Sequence, residues 1–220
     1  MRGADRGFVI AVDGPAASGK GTIVVQLGGF YGLPVLDTGL LYRAVGEAVA
    51  RAGGDLDDAA AAEAAARALD AARLDDPALR TRQAGEAASR VAVHPPVRAA
   101  LLDFQRRFAA DPRGAVIDGR DIGTVIAPDA PAKLFVTAQP EVRAERRWRQ
   151  LQGEGVSLAE VLADIRRRDE RDSSRSTAPL IRAADAVLLD TSQMTIDQAA
   201  DAARRIVEAA RARWETSRSG

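Results

Sequence analysis

The chain has 220 residues, 46% of them hydrophobic, with 31 basic side chains balanced by 31 acidic ones, which suits one compact α/β domain and gives no bulk attraction for nucleic acid or an anionic membrane. The lack of any cysteine excludes a disulfide framework or thiolate metal site, the single histidine, His94, argues against a histidine-based one, and the lack of asparagine excludes N-glycosylation. No apolar run is long enough to span a bilayer and none reads as a signal peptide, so the expectation is a cytoplasmic protein.

In chain order, Phe8–Asp13 is a short β-branched apolar run and predicts a buried strand. A Gly-rich turn follows, then a helix from Lys20 to about Gly28. The Gly28-Gly29 pair is expected to end it, because each glycine costs about 1 kcal/mol in a helix interior. Pro34–Asp37 predicts a second strand. Leu41–Ala52 and Asp58–Ala72 read as helices broken at Gly53-Gly54. Pro95-Pro96 restart a helix over Val97–Ala110. Strands are predicted at Ala115–Asp118, Lys133–Ala138 and Ala186–Asp190. Glu141–Gln152 is a strongly basic helix. Ser157 with Glu160, and Thr195 with Gln198, have capping-box spacing and open two further helices; the tail after Trp214 is expected to fray. Apolar strands alternating with helices imply a parallel sheet covered on both faces. His94 reads as a turn residue, Trp148 and Trp214 as packing groups.

The first strand runs into Gly14-Pro15-Ala16-Ala17-Ser18-Gly19-Lys20-Gly21-Thr22. Glycines let such a loop wrap a polyphosphate with its N–H groups, the next helix points its N-terminus at the anion, and Lys20 adds a point charge. Lysine occurs only at positions 20 and 133 in this arginine-rich chain, so its retention here points to chemistry. The strand–loop–helix context is the one this motif requires. Gly21 stands where a hydroxyl residue is usual, so metal contact is expected through phosphates and water.

At the second strand's end, Thr38 and Arg43 could hold a second phosphate, or serve as a helix cap and a surface arginine. The third strand ends in Asp118-Gly119-Arg120-Asp121. An apolar strand ending in Asp is suited to position Mg²⁺ or its water, and Arg120 could stabilise a transferring phosphoryl group. Arg166 to Arg175 mixes arginines with small polar residues. It reads either as a lid that closes over the phosphates or as a solvated charged helix; the phosphate loop favours the lid.

Taken together, DGPAASGKGT, LDTGLLYRAV, EAASRVA followed by PPVRAALL, DGRDIGTVIAPDAPAKLFVTA and RRRDERDSSRSTAPL with AADAVLLDT resemble bacterial cytidylate kinases, in order across most of the chain. The resemblance implies a three-layer P-loop kinase fold: a five-stranded parallel sheet, helices on both faces, an acceptor-binding segment near 41–100 and a mobile lid near 154–178, all in one domain. It implies a monomeric enzyme that transfers the γ-phosphoryl group of ATP, with Mg²⁺, to CMP or dCMP. Gly14 through Thr22 would bind ATP phosphates. Thr38, Arg43 and Arg120 would hold the acceptor phosphate, and Ser89, Arg98, Asp121 and Arg175 would read cytosine. Arg168 and Asp172 would contact the acceptor's sugar or phosphate, while Lys20, Arg120, Arg168, Arg171 and Arg175 would spread the developing charge. The chain departs from the family over 69–91, where an antiparallel insert is common; here the segment is short and Ala-rich. Two rivals are a P-loop kinase for another small acceptor, and a nucleotide-dependent switch that no acceptor stimulates.

Overall fold

The computed structural model describes residues 7–219. Five strands, β1 (Val9–Asp13), β2 (Val35–Asp37), β3 (Ala115–Gly119), β4 (Ala132–Thr137) and β5 (Val187–Asp190), form a parallel sheet in the order β2-β3-β1-β4-β5. Parallel neighbours need crossovers. These are supplied by α1 (Lys20–Tyr31), α2 (Thr38–Arg51), α3 (Ala59–Arg67), α4 (Arg82–Val91), α5 (Pro95–Ala109), α6 (Pro140–Gln150) and α7 (Leu158–Ser174), while α8 (Ile196–Ser219) follows the last strand and packs back on the sheet.

The period-2 alternation of the strands sorts the core into two layers. Ile10, Val12, Leu134 and Val136 meet Val24 and Leu27 of α1 and Ala203 and Val207 of α8. Val9, Ala11 and Ile117 face the other way, against Phe104 and Phe108 of α5. Leu41, Val45, Val91, Val97 and Leu101 bind α2, α4 and α5 into a helical layer beside the sheet. Leu151, Val161 and Ile165 join α6 to α7. Each fully buried Val, Leu or Ile side chain among these is worth about 1.5–3 kcal/mol.

Both predicted capping boxes form. Glu160 N–H donates to Ser157 Oγ (3.2 Å) and Ser157 N–H to Glu160 Oε2 (2.8 Å); Gln198 N–H donates to Thr195 Oγ1 (3.2 Å) and Thr195 N–H to Gln198 Oε1 (3.0 Å). His94 is the N-cap residue of α5, with its Nε2 2.9 Å from Leu56 O.

Helix α2 begins at Thr38 rather than Leu41, and three helix ends differ from the sequence reading. Helix α1 continues through Gly28-Gly29 and stops at Gly32, whose φ of 64° suits glycine. Gly28 serves packing: a Cβ there would lie 2.3 Å from Val35 Cγ2, so its absence lets β2 approach the helix. Helix α3 ends at Arg67, because Asp70 caps a short 3₁₀ turn over Ala71–Asp75. Helix α8 runs to Ser219, anchored by Trp214, whose ring lies tilted with its centre 5.3 Å from that of Phe8. Between 69 and 91 the chain forms 3₁₀ turns and α4, with no strand among the described residues. Among those residues no helix is long and apolar enough to cross a membrane.

Candidate active site

The site lies at the carboxyl ends of β1, β2 and β3, where parallel sheets leave a crevice. Gly14 leaves β1 against β4; a Cβ there would sit 1.9 Å from Val136 O, so only glycine allows the approach. The loop then turns through Ala17 at φ 59° into α1. Its carbonyls are held from α6 and β5: Ala16 O accepts from Arg143 (3.2 Å), and Ser18 O from Arg146 (3.4 Å) and Thr191 Oγ1 (2.9 Å). In a trans peptide the following N–H points the opposite way, so these bonds aim the Ala17 and Gly19 N–H groups away from α6. Ser18 Oγ is buried without a partner.

Lys20 is 7% exposed, and its Nζ lies 3.4 Å from both Asp118 Oδ1 and Pro15 O. Burial pulls the ammonium below its ordinary value, with Arg120 acting in the same direction, and pushes the Asp118 carboxyl up. Asp37 caps α2 through Gly39 N–H (2.9 Å), and Thr38 Oγ1 donates to Asp118 O (2.7 Å), tying the ends of β2 and β3 together. One turn on, Arg43 donates to Leu79 O (2.8 Å) and Thr81 O (3.2 Å) before α4. Arg168 descends from α7 to meet it over Gly85: a Cβ on that glycine would lie 3.4 Å from Arg43 Nη2 and 3.5 Å from Arg168 Nη1. Burial, then the Arg120 charge, bring Arg168 down to about 10, with Arg43 adding to the effect against Asp172. Its Nε has no partner. Lys20, Arg43, Arg120 and Arg168 therefore converge with less anionic charge than they can accept.

A second polar cluster adjoins the first. Arg98 of α5 is ion-paired with Asp121 at 2.5 Å, both at least nine-tenths buried, and its guanidinium lies 5.4 Å from the centre of the Tyr42 ring. Arg120 Nε donates to Asp172 Oδ2 at 2.9 Å. Arg175, just past α7, lies 3.9 Å from Asp172 Oδ1, with its Nε and Nη2 buried and unpartnered. Ser89 Oγ is likewise buried without a partner. Unpaired buried polar atoms are costly, and here they line one region, as a polar ligand's site would require.

Two cavities share the phosphate loop. One, of about 490 Å³, is lined by Lys20, Thr22, Arg146, Thr191 and Ile196. The other, of about 250 Å³, is lined by Lys20, Asp37, Arg43, Gly85, Asp118 and Arg168. Lys20 and Gly21 line both. The smaller cavity is lined by the carboxylates of Asp37, Glu86, Asp118 and Asp164, of which Asp118 lies beside Lys20, and among the described residues no group of three or more His, Cys, Asp or Glu could hold a metal. Such a sparse oxygen set suits Mg²⁺ that keeps its waters and binds mainly through phosphates.

The expected site residues thus converge, except Arg171. Its guanidinium pairs with Glu86 of α4 at 2.8 Å on the helix margin, bracing α7 against α4. Asp37, Tyr42, Gly85, Arg146 and Arg147 also line the site, without having been singled out from the sequence. The basic character of Glu141–Gln152 was the one signal for the two arginines, and Asp37 and Tyr42 lie within the LDTGLLYRAV motif; nothing local marked Gly85.

A P-loop, two adjoining cavities and converging arginines define a phosphotransferase of the nucleotide-kinase class. The family model described as cytidylate kinase matches residues 10–209. Relatives called cytidylate kinase include those of Caulobacter sp. (strain K31), 69% identical over 94% of this chain and 97% of its own length, and of Caulobacter vibrioides (strain NA1000 / CB15N), 70% identical over 94% and 98%. That of Xanthobacter autotrophicus is 67% identical over 93% and 99%. The chain belongs to the cytidylate kinase family. A crystal structure of an uncharacterized protein from Eubacterium ventriosum shares the fold, with a TM-score of 0.53 and 16% identity over 92% of this chain and 98% of that one.

Proposed function

We infer that the enzyme transfers the γ-phosphoryl group of ATP to CMP or dCMP, giving ADP and CDP or dCDP. The observation that carries this is the buried convergence of Lys20, Arg43, Arg120 and Arg168 between two cavities: burial holds Lys20, Arg43 and Arg168 below their ordinary values, Arg120 beside them is, despite burial, held charged by Asp172 and Asp118, and the group calls for phosphate anions from two sides. Family membership selects the acceptor.

In this reading the N–H groups of Gly14 to Thr22 and Lys20 hold the ATP phosphates, with the nucleoside in the larger cavity beside Arg146 and Thr191. Mg²⁺ would supply charge neutralisation on the phosphates near Asp118. Thr38, Arg43 and Arg120 hold the acceptor phosphate. An oxygen of that phosphate forms the new bond to Pγ as the bond to the β–γ bridging oxygen breaks, and ADP leaves with the electron pair. The acceptor is already ionised, so no general base is required. Lys20, Arg120 and Arg168 stabilise charge spreading over the equatorial oxygens. Ser89, Arg98, Asp121 and Arg175 read cytosine: a carboxylate accepts from its amino group, and guanidinium groups donate to its acceptors. Uracil presents a carbonyl where Asp121 needs a donor, a mismatch that buried polar sites reject strongly. Residues 41–100 serve as the acceptor segment and 154–178 as the lid. Arg143 supports the closed arrangement, since it pairs bidentately with Asp169 of α7 (3.0 and 2.5 Å) while holding the loop carbonyl of Ala16.

The test is ADP release from MgATP with CMP, dCMP, UMP, AMP or shikimate, each alone. Strong stimulation by CMP or dCMP, with little from the rest, is expected. Stimulation by another acceptor instead would refute the cytosine assignment, and no stimulation by any would refute kinase activity.

A further inference from the structure

Asp13, the last residue of β1, is absorbed by none of these roles. It is 4% exposed, and its two carboxylate oxygens each accept one backbone N–H from a segment more than a hundred residues away: Ile122 N–H to Oδ1 and Gly123 N–H to Oδ2, both at 2.7 Å. These N–H groups open the single π-type turn, Ile122–Ile126, that directly follows Arg120 and Asp121. On its other side the turn is closed onto Asp121 itself, whose carbonyl accepts from Val125 N–H (2.8 Å) and Ile126 N–H (3.2 Å). Asp121 sits at φ −142°, ψ 24°, outside any regular element, so its aim depends on these bonds together with its ion pair to Arg98.

We propose that Asp13 is a positioning residue for the acceptor base: its carboxylate clamps the turn behind Asp121 and so fixes the group that reads the cytosine amino group. The proposal rests on the assignment of Asp121 to that role. A carboxylate is the side chain that offers two acceptors and no donor, which suits two successive N–H groups. Burying it is unfavourable, and repulsion from Asp121 and Asp118 adds to that, while the two backbone hydrogen bonds work the other way and favour the carboxylate. Gly14 follows Asp13 directly, so the same backbone step that begins the ATP loop also holds the acceptor-reading turn in register. Gly123 completes the fit: a Cβ there would lie 3.3 Å from Asp13 Oδ2 and 3.2 Å from Lys133 Cδ.

Two variants test this in steady state with CMP, UMP and ATP. Asp13→Asn keeps the shape but sets an NH₂ against one of the N–H groups. Gly123→Ala presses on the clamp from the other side without changing charge. The expected result for Asp13→Asn is a rise of about tenfold or more in KM for CMP and an equal fall in the CMP-over-UMP ratio of kcat/KM, with KM for ATP within about twofold. Gly123→Ala should move the same two quantities by a smaller factor. If Asp13→Asn does not fold, judged by circular dichroism, Gly123→Ala decides. Folded variants that keep the parent's KM for CMP and its CMP-over-UMP ratio would overturn the clamp, as would equal losses toward ATP and CMP. A parent enzyme that itself fails to prefer CMP over UMP would instead overturn the Asp121 assignment, and the clamp with it.

Discussion

Asp121→Asn isolates the base-reading role proposed for Asp121, because it removes one charge and one acceptor while keeping volume. Asp121 is 5% exposed and its partner Arg98 is 8% exposed, so little water can replace what is lost. Facing cytosine, the new NH₂ would meet the amino group donor to donor. A hydrogen bond to a charged group is worth about 1.5–3 kcal/mol net, which corresponds to about a 10- to 150-fold loss in kcat/KM for CMP. Toward UMP the same NH₂ faces a carbonyl, so activity with UMP should hold or rise. Arg98 also loses its buried counterion, so thermal melting must be recorded alongside, with a fall expected. The assay is ADP release with each acceptor at varied concentration. A CMP-over-UMP ratio unchanged within about twofold, in a variant that still binds ATP, would refute the reasoning, because a buried carboxylate on cytosine cannot be neutralised without effect.

Lys20→Ala should lower kcat by about 10²–10³-fold, the usual effect of removing one preorganised charge from a transition state, and circular dichroism should remain that of the parent; unchanged turnover would exclude Lys20 from the mechanism. Gly85→Ala adds a Cβ 3.4 to 3.5 Å from the Arg43 and Arg168 guanidinium groups, so KM for CMP should rise while KM for ATP stays level. Gly28→Ala should destabilise by about 1–3 kcal/mol in urea titration, since the new methyl would overlap Val35. Asp13 is raised from 3.8 to about 6, first by burial. Because the folded value lies above the unfolded one, the stability it contributes is full below the unfolded value and is lost as pH rises through 6, about 3 kcal/mol in all. Urea titrations of Asp13→Asn and the parent should therefore diverge in the variant's favour by about 2 kcal/mol between about pH 4.5 and about pH 7.5; parallel profiles would show that Asp13 is not a buried, titrating carboxylate.

Local chemistry carried the strands and the phosphate loop. A β-branched run followed by glycines and Lys20 needs no distant partner to be read, and the two capping boxes are likewise complete within four residues. Other features depended on contacts far apart in the chain. Gly28-Gly29 looked like a helix end on propensity alone, yet the approach of Val35 and the cap at Gly32 decide otherwise. Arg171 carries the same motif signal as Arg168 and Arg175, and only the position of Glu86 on α4 turns it aside.

What the sequence determined by itself was the class of chemistry, because a polyphosphate cradle is built from consecutive backbone N–H groups and one lysine. What the tertiary structure alone decided was which arginines face the same space, and how the turn after Asp121 is held. Arg43 and Arg168 come from helices more than a hundred residues apart and meet over Gly85. Asp13 reaches Ile122 and Gly123 only because β1 lies beside β3 in the sheet. Charge convergence and turn clamping are properties of distance in space, and periodicity along a chain does not encode them.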